Sequence, residues 1–171
     1  MIRKNILKTK RLRLVPFAPE HLDGLFRMNS NPEVMRYLGP PQTREETGAW
    51  IVRQQSEWER HGFGWWAAFE RGTDHLVGAA CLQHLGHVET NPLEIGWRLL
   101  PGAQGRGYAT EAGQAAMTFG FETIGVSYLT AVTHPKNKAS ARVMERLRMT
   151  YIGIQTHYGV PCVTYEIYKP G

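Results

Sequence analysis

Long hydrophobic runs are missing from this sequence. No apolar stretch approaches the roughly 20 residues needed to cross a bilayer. The opening MIRKNILKTKRLRL lacks a long apolar region and a small-residue cleavage site, so no signal peptide is read there. Cysteine is scarce: Cys81 and Cys162 lie far apart, each in an apolar run, and read as buried thiols rather than a disulfide framework. These absences point to a cytoplasmic chain with reduced thiols and no membrane partner. Charge of one sign is not concentrated either. The 20 Lys+Arg against 15 Asp+Glu give +5, with no basic run. That mild excess suits an anionic small molecule and does not call for nucleic acid. His84 and His87 are spaced like a metal pair, but no second cluster supports them, so no metal is expected.

The composition is that of a folded chain. Hydrophobic residues make up 42% and charged residues 20%, and 171 residues suit one domain, read as 1–171. Leu12, Leu14 and Phe17 alternate as in a strand. Leu22, Leu25 and Phe26 mark a helix, and a helical turn follows, closed by Gly39. Thr43 and Glu46 form a capping-box pair, and Trp50, Ile51, Gln54 and Trp58 keep helical spacing until Gly62. FGWWAAFER and HLVGAACLQHL, joined through GTD, read as a hairpin, and LEIGWRLL as a further strand. A helix is expected from Tyr108 to Ile124, with Ala109, Ala112, Ala116 and Gly120 giving it a close-packing face. SYLTAVT is a buried strand, HPKNKASARVMERL a loop and helix, and two strands close the chain. The order implies a mixed α/β domain with an antiparallel front and a βαβ unit behind it.

The stretch PGAQGRGYATEAG, residues 101–113, places three glycines around Arg106 just before a helix. A helix N-terminus presents unpaired N–H groups, and glycines let a ligand approach them, which makes an anion site. A tight strand-to-helix connection would need the same glycines, and on this stretch alone the two readings stand level. A P-loop lysine is absent, and GRGYAT carries Thr110 where a dinucleotide fingerprint wants glycine or alanine.

QGRGYATEA resembles the acyl-CoA pyrophosphate loop of the GNAT N-acetyltransferases, Gln/Arg-x-x-Gly-x-Gly/Ala, filled by Gln104, Gly107 and Ala109. TKRLRLVPF, EIGWRLLP and NKASARVMERL are similar to other segments of that family, closest to its RimJ/RimL-type branch, which includes ribosomal-protein N-terminal acetyltransferases. The resemblance implies a single α/β (α+β) domain. Its central sheet would be mixed and mostly antiparallel, with about seven strands splayed between strands 4 and 5 and about four flanking helices. It implies acetyl-CoA as co-substrate and direct acetyl transfer to a primary amine, a protein N-terminus or a small amine. A non-catalytic acyl-CoA-binding domain on the same fold is the alternative. Oligomeric state stays open, with a homodimer through a strand edge or the last hairpin as one arrangement.

Site residues follow from the same resemblance. Gln104, Gly105, Arg106, Gly107, Tyr108, Ala109 and Thr110 would cradle the pyrophosphate. Trp97, Arg98 and Leu99 lie on the strand that supplies an oxyanion donor from its main chain. Gly96 there suggests a bulge, a close backbone approach or plain packing. Glu94 is the first candidate base, with an arginine-paired edge carboxylate as the plainer reading. His84 and His87, acting through water, and His134 are weaker candidates. Asn137 and Ser140 would serve the pantetheine and sulfur end, and either could instead cap the next helix. Many members carry a tyrosine general acid where this chain has Met144. A thiol of pKa near ~8.5 is a tolerable leaving group, so Ser140 is assigned that end of the reaction. Arg148 replaces the glycine usual at the end of this helix, where a left-handed residue is expected. The acceptor would lie between the first helices and the final hairpin, touching Tyr37, His84 and Tyr158. Trp50 and Trp58, at helical spacing, belong more naturally to the core.

Overall fold

The computed structural model describes residues 5–171. The reading of no leader at the chain start falls partly on residues 1–4, outside the described residues. Strands are β1 (Leu7–Lys8), β2 (Leu12–Pro16), β3 (Trp65–Glu70), β4 (Leu76–His84), β5 (Leu93–Leu99), β6 (Tyr128–Thr133), β7 (Thr150–His157) and β8 (Val160–Tyr168). Helices are α1 (Leu22–Asn29), α2 (Pro32–Met35), α3 (Arg44–His61), α4 (Tyr108–Thr118) and α5 (Lys138–Arg146). They surround one eight-stranded sheet ordered β1-β2-β3-β4-β5-β6-β8-β7.

The mixed, mostly antiparallel class matches expectation, with β1 and α2 raising the counts above seven strands and four helices. A two-residue strand carries no readable periodicity. Every pairing is antiparallel except β5 with β6. That parallel pair shares one rung, Glu94 opposite Thr130, and Thr130 Oγ1 donates to the Leu93 carbonyl at 3.1 Å. Because β1 shifts the count by one, this is the splay expected between strands 4 and 5.

Two aromatic-rich layers cover the sheet. On one face α1 and α3 pack Leu25, Met28, Trp50 and Ile51 against Trp65, Ala67, Phe69, Ala79 and Cys81. On the other, α4 and α5 pack Tyr108, Ala112, Ala116, Val143 and Met144 against Leu12, Leu14, Leu82, Ile95 and Leu129. Small residues let α4 lie close: a Cβ on Gly113 would stand 3.2 Å from the Trp97 ring.

Local signals account for the helix ends. Thr43 Oγ1 accepts from Glu46 N–H and Glu46 Oε1 accepts from Thr43 N–H, both at 3.1 Å, the reciprocal box the spacing predicts. The helix expected over 108–124 changes character at its end. After Thr118 it widens into a π-turn over Phe119–Ile124, closed by left-handed Gly125. Gly96 is not at a bulge, since the β4–β5 register runs through it unshifted. Packing accounts for the glycine, because a Cβ there would meet the Cys81 side chain at Sγ, 3.0 Å away.

Arg148 bears the left-handed strain itself, at φ 64°. Its N–H donates to Glu145 O at 2.9 Å and Met149 N–H donates to Met144 O at 3.0 Å, a Schellman ending built without glycine. Arg148→Gly is expected to raise stability by about 1 kcal/mol, since relief of the left-handed residue exceeds the entropy glycine adds to the unfolded chain. Denaturant midpoints of the two proteins check this, and an unchanged or lowered midpoint would refute it.

Candidate active site

Beyond Glu94, β5 and β6 part, and the polar backbone groups on that edge of β5 have no strand partner. The gap opens into a cavity of about 1470 Å³. It runs from the 104–110 loop, along β5, to the helical layer holding Tyr37 and Trp50.

At the loop end, Gly105 and Gly107 have φ of 74° and 82°, conformations that strain any other residue. Gly107 is the N-cap of α4 and no side chain caps the helix. The first helical bond is Glu111 N–H to Gly107 O, so the N–H groups of residues 108–110 remain for a ligand. Thr110 Oγ1 is buried beside them without a partner among the described residues. This donor set fits a pyrophosphate. The side chains contribute less than the motif suggests. Arg106 turns to Glu70, 3.6 Å away, and stacks over Tyr108, whose ring is buried in the core. Gln104 Nε2 donates back to the Leu99 carbonyl at 3.4 Å.

Glu94 stands midway along the cleft and is 5% exposed. It has no arginine partner among the described residues, so the paired-edge reading fails. Burial pushes its carboxyl from the usual carboxylate range up to about 7, against the smaller opposing effect of hydrogen bonds from Gln83 and Tyr158. Gln83 Nε2 donates to Glu94 Oε1 at 2.9 Å and to Tyr158 Oη at 3.0 Å. Trp65 Nε1–H donates to Gln83 Oε1 at 2.9 Å, which fixes the amide so that its NH₂ faces Glu94. Tyr158 Oη accepts from Gln83 and donates to the same Glu94 oxygen. Burial, then the Glu94 charge, hold the Tyr158 hydroxyl above the usual phenol range, so it stays a donor. Both donors converge on Oε1, leaving Oε2 as the oxygen that can take a proton.

The hairpin turn delivers Tyr158. Tyr158 and Gly159 have φ of 54° and 75°, the two positive values a tight two-residue β-hairpin needs. Gln83 and Trp65 escaped the sequence reading, yet the register carries them: Gln83 is directly opposite Glu94, and Trp65 opposite Cys81. Only the pairing of distant strands reveals it.

The remaining candidates divide. Trp97 packs under α4 and Leu99 lies against Gly78, and both residues also line the cavity. Arg98 turns the other way, under α1, where Nη1 donates to Asn29 Oδ1 at 2.8 Å. Asn137 caps α5, its Oδ1 accepting from Ser140 N–H at 3.2 Å, and Ser140 is among the residues lining the cavity. Tyr37 also lines it and stacks on His134, ring centres 5.1 Å apart. His84 packs edge-on against His61 and Phe63, and strand alternation turns it to the face opposite Gln83 and Glu94. His87 contacts the Tyr158 ring edge-on. Trp58 is core, whereas Trp50 is both core and cavity wall. Cys81 and Cys162 are free and buried, and burial followed by the Glu94 charge raises the Cys81 thiol well above its ordinary value.

Glu94 links the site to stability. Its folded pKa lies above the unfolded value, so folding favours the protonated acid. The full stability is present below the unfolded pKa of about 4.5 and is lost as pH rises through about 7. Glu94→Gln is therefore expected to stabilise the protein at pH 8, by up to ~3 kcal/mol, and much less at pH 5. Denaturant unfolding at both pH values checks this; equal effects at both would contradict the buried, raised carboxyl.

A profile described as acetyltransferase (GNAT) domain matches residues 11–150. The FsC-acetyl coenzyme A-N(2)-transacetylase of Aspergillus fumigatus is 31% identical over 157 residues, covering 85% of this chain and 65% of that protein. An acetyltransferase from Agrobacterium tumefaciens superposes with TM-score 0.84 at 26% identity, over 96% of this chain and 94% of that one. RimL, a ribosomal L7/L12 alpha-N-protein acetyltransferase solved in complex with coenzyme A, shares the fold at TM-score 0.80 and 19% identity, over 96% and 98%. With the matched span, the splayed strands and the glycine-built helix start in agreement, the chain belongs to the GNAT acetyltransferase family.

Proposed function

We propose that the chain is an acetyl-CoA-dependent N-acetyltransferase that moves the acetyl group directly to a primary amine, a protein N-terminus or a small amine. One observation carries this reading: a carboxyl raised to about 7 lies in a cleft whose other end is an open, glycine-built anion cradle. The partners in this reading are acetyl-CoA and the amine, the compartment is the cytoplasm, and a homodimer is compatible with it. A relative named as an N(2)-transacetylase and a neighbour solved with coenzyme A support the amine and the co-substrate.

Acetyl-CoA supplies an activated thioester. The backbone N–H groups of residues 108–110 hold its pyrophosphate, and the open edge of β5 guides the arm toward Glu94. An ammonium has no lone pair, so the acceptor must first lose a proton. Glu94 Oε2 takes it, directly or through one water, and a carboxylate near 7 suits that task at neutral pH. Backbone N–H groups on the β5 edge, near Trp97 and Arg98, stabilise charge developing on the acetyl oxygen. Ser140 sits on the α5 side of the cavity, where its hydroxyl assists the departing sulfur.

Two outcomes test the reading. The kcat/KM for any accepted amine should fall below about pH 7 as Glu94 protonates, and Glu94→Gln should lower kcat ~10²–10⁴-fold and remove that limb. An unchanged profile in the variant would place the base elsewhere. Gly107→Val should abolish acetyl-CoA binding in a calorimetric titration while leaving the far-UV circular dichroism intact, because valine resists φ near 82°. Retained affinity would overturn the cradle.

A further inference from the structure

The acceptor side of the cavity holds a half-buried, desolvated cation with no carboxylate partner among the described residues. Arg98 shares a strand face with Glu94, with Gly96 between them, so their Cα atoms stand about 13 Å apart at ~3.3 Å per residue. The two do not pair. Among the described residues Arg98 forms no salt bridge. Its guanidinium carries five N–H donors. Nη1 donates to Asn29 Oδ1 at 2.8 Å, and Nε is buried with no partner. The group lies 4.9 Å from the Trp50 ring centre and 5.3 Å from that of Trp65. Arg98 and both tryptophans line the cavity.

A buried charge is costly unless it is paired and hydrogen-bonded. Two indole faces and one amide offset part of that cost. A role limited to anchoring α1 would need only a neutral donor to Asn29. Aromatic walls and unused donors in a fixed fork instead suit a planar oxyanion. The Trp65 indole also ties the two ends together, because its face carries Arg98 while its N–H holds Gln83 beside Glu94.

We infer that Arg98 is the receptor for a carboxylate on the acceptor, so the substrate class is an amine that also bears a carboxylate. This rests on the acetyltransferase reading above. The amine faces Glu94, and the carboxylate takes the unused guanidinium donors between Trp50 and Trp65. Polyamines and plain alkylamines leave the cation unpaired and are poor acceptors.

The test is a panel of ω-amino acids from glycine to 6-aminohexanoate, each beside the unsubstituted alkylamine of matching length, assayed with acetyl-CoA. At least one amino acid should exceed its alkylamine by about 10- to 100-fold in kcat/KM, the scale of a charge-assisted hydrogen bond. Arg98→Gln should bring that ratio close to one, and Arg98→Lys should keep part of it. Tryptophan fluorescence provides a readout independent of turnover. The preferred amino acid should perturb Trp50 and Trp65 emission in the native protein and not in Arg98→Gln, with circular dichroism confirming that the variant folds. A ratio near one throughout the panel in the native protein would overturn the inference, and so would a preference that survives Arg98→Gln. Absence of all turnover counts against the acetyltransferase reading; the fluorescence titration then decides the carboxylate site, and silence toward every amino acid rejects it.

Discussion

β5 and β6 share a single rung, Glu94 opposite Thr130, and then diverge. Unpaired strand edges are costly when sealed in a core, and they persist here because they face a large cavity. Sheets on both sides hold the opening. β4 pairs with all of β5, and β8 with all of β6, so each lip is fixed to a rigid neighbour. The glycine loop and α4 follow directly from the end of β5, and α5 follows β6, which sets the open N-terminus of α4 at one end of the same gap. Without the divergence there would be no passage between the cradle and Glu94.

The polar groups in this passage have been placed at some expense to stability. Glu94 sits where burial favours its neutral form, and Arg98 lies under α1 without a carboxylate. Burial also brings the Arg98 guanidinium down to about 10. The aromatic layer of Phe17, Trp50 and Trp65, whose rings pack at 4.7–6.2 Å, flanks the Arg98 guanidinium, and Trp65 reaches Glu94 through Gln83. Burial of Glu94 is what brings its carboxyl toward neutral pH. Sites of this kind commonly sacrifice stability for function.

Much of this was legible in the residues. The capping pair Thr43 and Glu46, the glycines before α4, the capping choice at Asn137 and the left-handed site at Arg148 are local signals, each with a mechanism confined to a few residues. Glu94 was also legible, through its place two residues before Gly96. The lines of failure are equally physical. Gln83 and Trp65 went unread, and Tyr158, expected on the acceptor side, meets Glu94 only through pairing across β3, β4 and β5 and the far hairpin, contacts that no local pattern encodes. Arg106 read as a donor at the rim of the cradle, but Glu70 and the Tyr108 ring hold its guanidinium, while Tyr108 keeps its backbone N–H at the start of α4. His84 lines the same cavity, but strand alternation turns its ring away from Gln83 and Glu94 and toward His61 and Phe63.

Glu94 holds a carboxyl poised near neutrality inside the cleft. Its most direct test is a carbon-13 NMR titration of the glutamate side-chain carboxyls, with the Glu94 resonance assigned by comparison with Glu94→Gln. A midpoint near 7 is expected for that resonance. A midpoint near 4.5, the value of an ordinary solvated glutamate, would contradict it.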